Sequence, residues 1–161
     1  MMKRTLLLFL ISTLCACGYH LRGAMDVPEI MHHVHVSSAS PQLLNGFRDS
    51  FKTAGVNLKE KPEAGGVVIN IVNERFDRRT LSLSSTGKAN EFELLYTLEF
   101  ELLTADNKVI LPRQSVDINR DYFNDQQDIM GKGNEETQIR LEMYQQAARA
   151  VIDRGMALMN K

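Results

Sequence analysis

Apolar and polar residues alternate most regularly between Glu91 and Leu102. Phe92, Leu94, Tyr96, Leu98, Phe100 and Leu102 share one side, while Glu91, Glu93, Thr97, Glu99 and Glu101 share the other. A period of two over a dozen residues predicts a long strand with one buried face and one acidic, wet face. Shorter strands are predicted around it. Val34 and Val36 alternate with His33, His35 and Ser37. Val67 to Val72 is an apolar run rich in β-branched residues, suited to an inner strand. Leu81 and Leu83 alternate with Ser82 and Ser84, and Ser85-Thr86-Gly87-Lys88 supplies turn chemistry for a hairpin. Ala105-Asp106-Asn107-Lys108 predicts a second hairpin turn. Beyond it, Val116, Ile118, Arg120 and Tyr122 fall on one side, and Pro112 marks a bulge or an edge.

Two segments carry the helical period instead. Leu43, Leu44, Phe47, Phe51 and Ala54 recur at helical spacing, with Ser38 or Ser40 as cap, Pro41 at the first position and Gly55 as the stop. Asn124 to Gly133 is polar and turn-rich, after which Asn134 is expected to cap a long helix with Glu135 and Glu136 in its first turn. Its apolar stripe reads Leu141, Tyr144, Ala148, Val151, Ile152, Leu158 and Met159, and Gly155 weakens its last turns. The predicted order is β-α-β-β-β-β-α. A meander with one apolar face needs a cover, and two amphipathic helices provide it. The expectation is an α+β fold: a two-layer α/β sandwich, with a mostly antiparallel sheet of four to five strands under two helices.

The amino terminus has a different pattern. Lys3 and Arg4 precede a short apolar run, Leu6 to Leu14, which ends in Leu14-Cys15-Ala16-Cys17. A charged start, an apolar stretch and a small residue before the cut form an export signal. The run is about half the roughly 20 apolar residues a membrane span requires. The ending Leu-x-Ala-Cys resembles the bacterial lipobox. That resemblance implies cleavage before Cys17, an S-diacylglycerol on its thiol and an acyl chain on its new α-amino group. Residues 1–16 would then be a signal peptide, 17–30 a lipidated tether and 31–161 a single domain. One chain holds a protein weakly to a membrane and several hold it firmly. Cys15 would be discarded and Cys17 alkylated, leaving no thiol for a disulfide. Gly18 follows where inner-membrane lipoproteins of diderm bacteria commonly have Asp, which favours the outer membrane, on its periplasmic face.

Composition narrows the function. Of 19 Lys and Arg against 20 Asp and Glu, Lys3 and Arg4 lie in the export segment, so the remainder carries a net charge of about −3. That argues against a general nucleic-acid binder. The region from residue 31 is long enough for one domain with a core of its own. His20, His32, His33 and His35 do not make a zinc site by pattern, because neighbours on a strand point to opposite faces. The serines form no Gly-x-Ser-x-Gly, and the glycines form no phosphate loop with Lys-Ser/Thr. The row Glu91, Glu93, Glu99, Glu101 is read as the wet face of a strand rather than as catalytic carboxylates. No cofactor and no catalytic residue emerges.

The run Cys17-Gly18-Tyr19-His20-Leu21-Arg22-Gly23 resembles the start of the mature chain in the LptE family of lipopolysaccharide-assembly lipoproteins. The resemblance continues in Lys132-Gly133-Asn134-Glu135 before the last helix, in Glu142-Met143-Tyr144 within it, and in the order of elements. It implies a non-enzymatic protein that sits inside the outer-membrane β-barrel LptD, helps it assemble, and binds lipopolysaccharide on its way to the surface. Lipopolysaccharide carries phosphates and carboxylates, so a contact surface needs Lys and Arg that can reach it. Lys132 matches the family's lysine and is expected in a polar run before a helix N-terminus, which favours anions. Lys88 lies in the first hairpin tip, although the position that aligns with the family's basic residue there is Ser85. Arg78 and Arg79 form a basic pair before the third predicted strand and rank lower. The alternative reading is a lipid-anchored binding module for another envelope ligand.

Overall fold

A computed structural model describes residues 29–124 and 129–159, with side chains in the last helix from residue 135 onward. The expected export signal, Cys17 and the expected tether up to residue 28 lie outside the described residues. A 3-10 turn, Glu29–His32, leads into β1 (Val34–Ser37), α1 (Pro41–Thr53), β2 (Val67–Leu83), β3 (Ala89–Thr104), β4 (Val109–Phe123) and α2 (Ile129–Met159). The sheet has the order β1-β2-β3-β4. β1 runs parallel to β2, and the two other pairs are antiparallel. The α+β sandwich is therefore present, with a mixed sheet of four strands.

Two elements are longer than their patterns indicate. The apolar run Val67–Val72 and the Leu81/Leu83 segment belong to one strand, because β3 pairs with β2 along its length. A shift in register between Ile71 and Asn73 breaks the alternation. A bulge of this kind hides a continuous strand from a reading by period. At the far end, α2 begins at Ile129 rather than at Asn134. Lys132 thus lies in the first turn of a helix and not in a loop ahead of it. Gly131 and Gly133 lower helix propensity there without breaking the helix.

The two turns behave as their chemistry predicts. Ser84 N–H donates to Lys88 O at 2.7 Å and Gly87 N–H to Ser84 O at 2.9 Å, with Gly87 at φ +77°. The second turn repeats this: Thr104 N–H donates to Lys108 O at 2.8 Å, and Asn107 takes φ +62°. Both are three-residue loops whose last residue is left-handed, a position that suits Gly and Asn.

The core lies between the sheet and the two helices. Leu94, Tyr96, Leu98, Phe100 and Leu102 of β3 are buried, as the period of two requires. From β2, Val67, Ile69 and Ile71 join them, and from β4 Val116, Ile118 and Tyr122. α1 buries Leu43, Phe47 and Phe51. Ser40, not Ser38, caps it, with its hydroxyl accepting from Leu43 N–H at 3.2 Å. In α2 the buried stripe is Met143, Ala147, Ala148, Val151 and Ile152. Leu141 and Leu158, expected in that stripe, are exposed. Leu141 lies about 75° off its centre, on the flank of a helix with 3.6 residues per turn, whereas Leu158 lies close to the stripe's line but in the last turn of the helix.

Candidate functional site

The strands are unequal, and this creates a distinct end of the molecule. Along β2, β1 pairs with no more than Val67–Asn70, so the far half of β2 and its hairpin with β3 run on past it. Over that half, α2 covers the sheet through Glu136, Arg140 and Tyr144. Register lines up three rows on the covered face: Phe76–Tyr96–Ile118, Arg78–Leu94–Arg120 and Thr80–Phe92–Tyr122. Beyond them come the exposed apolar side chains of Leu81, Leu83 and Phe123, and then the turn with Lys88.

Arg78 and Arg79 do not act as a pair. Successive residues of a strand point to opposite faces. Arg78 lies on the covered face, its guanidinium 4.6 Å from the Phe92 ring centroid and 3.1 Å from Glu136 Oε2. Arg79 lies on the open face, where it pairs with the buried carboxylate of Glu93. Asn119 Nδ2 reaches the other oxygen of Glu93 at 3.5 Å. Lys88 is exposed at the tip. Lys132 is one helical turn before Glu136, so its backbone is at this same end, while its side chain lies outside the described residues. The structure therefore places Arg78, Lys88 and the Lys132 backbone at one end of the sheet and turns Arg79 away from them.

Glu136 is the hub of this end. Its Oε2 accepts the Tyr122 hydroxyl at 2.5 Å, and its Oε1 accepts Arg140 Nε at 2.9 Å and Nη2 at 2.7 Å. Arg140 lies over Phe76, 4.1 Å from the ring centroid. Phe76, Tyr96 and Tyr144 stack behind it, with centroids 5.1 to 6.1 Å apart. Burial pushes the Glu136 carboxyl up, but hydrogen bonds from Tyr122, Arg140 and Arg78 outweigh it, and the group titrates below its ordinary range. Burial and then the Glu136 carboxylate push the Tyr122 hydroxyl up, so it remains a donor. The sequence pattern assigned Glu136 only to a helix start. The pairing of Glu136 with Arg140 is visible as an i, i+4 spacing, whereas its bonds to Arg78 and Tyr122 span 58 and 14 residues.

The open face of the sheet is polar and cross-linked from strand to strand. Ser37 donates to Asn70 at 2.9 Å and Asn70 to Glu101 at 2.8 Å. Thr97 donates to Asp117 at 3.0 Å, and Arg113 stands 3.5 Å from Glu99. Pairs of this kind hold side chains in place on a wet surface. No helix among the described residues is long and apolar enough to cross a membrane.

The chain is similar in sequence and fold to known proteins. The family model for LptE, described as lipopolysaccharide-assembly, matches residues 31–154. An LPS-assembly lipoprotein LptE of Photorhabdus laumondii is 29% identical over 146 residues, covering 89% of this chain and 79% of its own. Another from Pectobacterium atrosepticum is 26% identical, covering 84% and 74%. Among solved structures, a lipoprotein B of Nitrosomonas europaea superposes with a TM-score of 0.72 at 25% identity, over 89% of this chain and 93% of its own. The rare lipoprotein B of Shewanella oneidensis gives 0.63 at 26% identity, over 80% and 94%. With a family match over nearly the whole described region, the chain belongs to the LptE family of lipopolysaccharide-assembly lipoproteins.

Proposed function

We infer that this chain is a non-enzymatic outer-membrane lipoprotein that plugs and helps assemble an LptD-like β-barrel and binds lipopolysaccharide during its delivery to the outer leaflet. Acyl chains on Cys17 hold it to the periplasmic side of the membrane, after removal of residues 1–16. The observation that carries this reading is the family match over residues 31–154. Two features of the surface support it. The open face carries fixed polar side chains, as a wall in contact with a water-filled barrel lumen requires. The hairpin end combines exposed cations at Lys88 and Arg78 with exposed Leu81, Leu83 and Phe123. An anionic amphiphile needs both kinds of contact. Lys132 contributes from the first turn of α2, and Arg79 from the open face.

Purification of the tagged chain from membranes in mild detergent tests the partner. The expected result is a stoichiometric large β-barrel, and its absence would sink the plug. Mass spectrometry of the mature polypeptide tests the anchor. An N-terminus other than a triacylated Cys17 would remove it. Depletion of the chain is expected to lower surface lipopolysaccharide.

A further inference from the structure

Glu136 occupies a position built for an anion. Three donors, from β2, β4 and α2, converge on its carboxylate: Arg78 Nη1 at 3.1 Å, the Tyr122 hydroxyl at 2.5 Å, and Arg140 through Nε at 2.9 Å and Nη2 at 2.7 Å. Each guanidinium is seated on an aromatic ring, Arg78 on Phe92 and Arg140 on Phe76. Such seating fixes the fork that recognises phosphate. The arginine side chains remain 49% and 39% exposed, against 18% for Glu136. A ligand can therefore reach the donors that the carboxylate now holds.

Among the described residues, the charges at this end do not balance. Two cations face one carboxylate, and Arg120 stands in the same row as Arg78, two strands away. The strands contribute one carboxylate to this face, Glu74, which is taken up by Ser40 and Tyr96. A phosphomonoester brings three acceptor oxygens and up to two negative charges. It matches this donor set better than a carboxylate does. Thr80 and Tyr122 are followed along their strands by Leu81, Leu83 and Phe123, all exposed. Phe123 pairs with Glu91 and faces the open side, so this apolar surface lies at the rim of the sheet, round its end from the donors.

We propose that Arg78, Arg140 and the Tyr122 hydroxyl form a phosphate cradle that Glu136 fills in the ligand-free chain and from which a phosphate group of lipopolysaccharide displaces it. The proposal rests on the reading that the chain binds lipopolysaccharide. Glu136 is then a built-in competitor: it holds α2 against the sheet when no ligand is bound and sets the affinity when one is.

The mature full chain in dodecyl maltoside is titrated with three probes: lipopolysaccharide with its phosphates intact, the same preparation after phosphatase treatment, and inorganic phosphate. Glu136→Gln removes the competing charge and keeps the side-chain shape. It is expected to bind the phosphorylated form about tenfold more tightly than the wild type does and the dephosphorylated form equally. Arg78→Gln with Arg140→Gln is expected to abolish the preference for phosphate. A wild type that binds neither lipopolysaccharide would end the functional reading itself. A wild type that binds, beside a Glu136→Gln chain that binds no more tightly, overturns the cradle. Inorganic phosphate competing as well as the phosphorylated lipid would overturn the lipid as its ligand. Should Glu136→Gln fail to fold, Tyr122→Phe keeps the ring and deletes one donor. It is expected to weaken only the phosphorylated probe, about threefold, and equal binding would dismiss the cradle.

Discussion

The Glu74 carboxylate grips the residue that caps the first helix: Oε2 accepts Ser40 N–H at 3.0 Å and Oε1 accepts its hydroxyl at 2.7 Å. The Tyr96 hydroxyl joins Oε1 at 3.1 Å. Burial, and then the neighbouring carboxylate, pushes that hydroxyl far above its ordinary range, so it stays protonated and donating. One side chain of β2 thereby ties the start of α1 to the centre of β3. Glu74→Ala leaves three donors without their acceptor and is expected to cost about 2–3 kcal/mol in urea unfolding. Glu74→Gln, which keeps one acceptor oxygen, is expected to cost less. Equal stability of wild type and Glu74→Ala would show that water replaces the carboxylate.

Two glycines should respond in opposite ways to alanine. A Cβ on Gly66 would stand 2.2 Å from the His33 carbonyl oxygen, which accepts Val67 N–H at 3.0 Å where β1 meets β2. Backbone cannot yield there, and Gly66→Ala is expected to lose at least about 2 kcal/mol. A Cβ on Gly155 would meet Leu102 Cδ1 at 3.3 Å and Met31 Cε at 3.4 Å, both ends of flexible side chains. The gain in helix propensity is about 1 kcal/mol. Gly155→Ala is therefore expected to stabilise the fold by about 0.5 kcal/mol after that crowding. Thermal unfolding of the two variants checks both signs.

Acid should loosen the hairpin end before the core. Glu136 titrates below the ordinary value of 4.5. A carboxyl depressed in the folded chain contributes stability that is complete above its unfolded value and is lost as pH falls through the folded value. The window therefore opens near pH 4.5 and extends downward. Glu63, lowered by hydrogen bonds from His33 and Lys59, titrates in the same window at an exposed site. The comparison that isolates Glu136 is wild type against Glu136→Gln, followed by melting temperature from pH 7 to 3. The variant is expected to show the shallower acid decline, and parallel curves would remove Glu136 as the cause.

Stability and binding should separate at the exposed apolar positions. Leu83 is 64% exposed, whereas Phe47 is fully buried in α1. Phe47→Ala is expected to cost about 3–5 kcal/mol. Leu83→Ser is expected to change stability by less than about 0.5 kcal/mol while weakening capture of lipopolysaccharide. A Leu83→Ser chain that captures it as well as wild type would take this residue out of the contact surface.

Lys88→Glu and Lys132→Glu address the cations in the same assay. Each is expected to lower lipopolysaccharide binding with the melting temperature unchanged. A loss confined to Lys132→Glu would assign the contact to α2 rather than to the hairpin tip.

The alternation from Phe92 to Leu102, the β-branched run from Val67 and the two turns at Gly87 and Asn107 were legible because each depends on neighbours in the chain. So were the start of α1 at Pro41, the layer count and the family, whose marks are short and contiguous. What escaped has one origin: it depends on residues far apart in sequence. The bulge after Ile71 exists only because β3 pairs across it, so one strand read as two segments. The contacts of Glu136 escaped as well, because it bonds to Arg78 and Tyr122 on two different strands. The separation of Arg78 from Arg79 follows from strand period, but which face carries the helices is a matter of packing. Local periodicity sets which elements form and which side of each is apolar. Only the assembled sheet and its covering helix decide which charges share a desolvated space, because that proximity comes from register between strands and not from spacing along one of them.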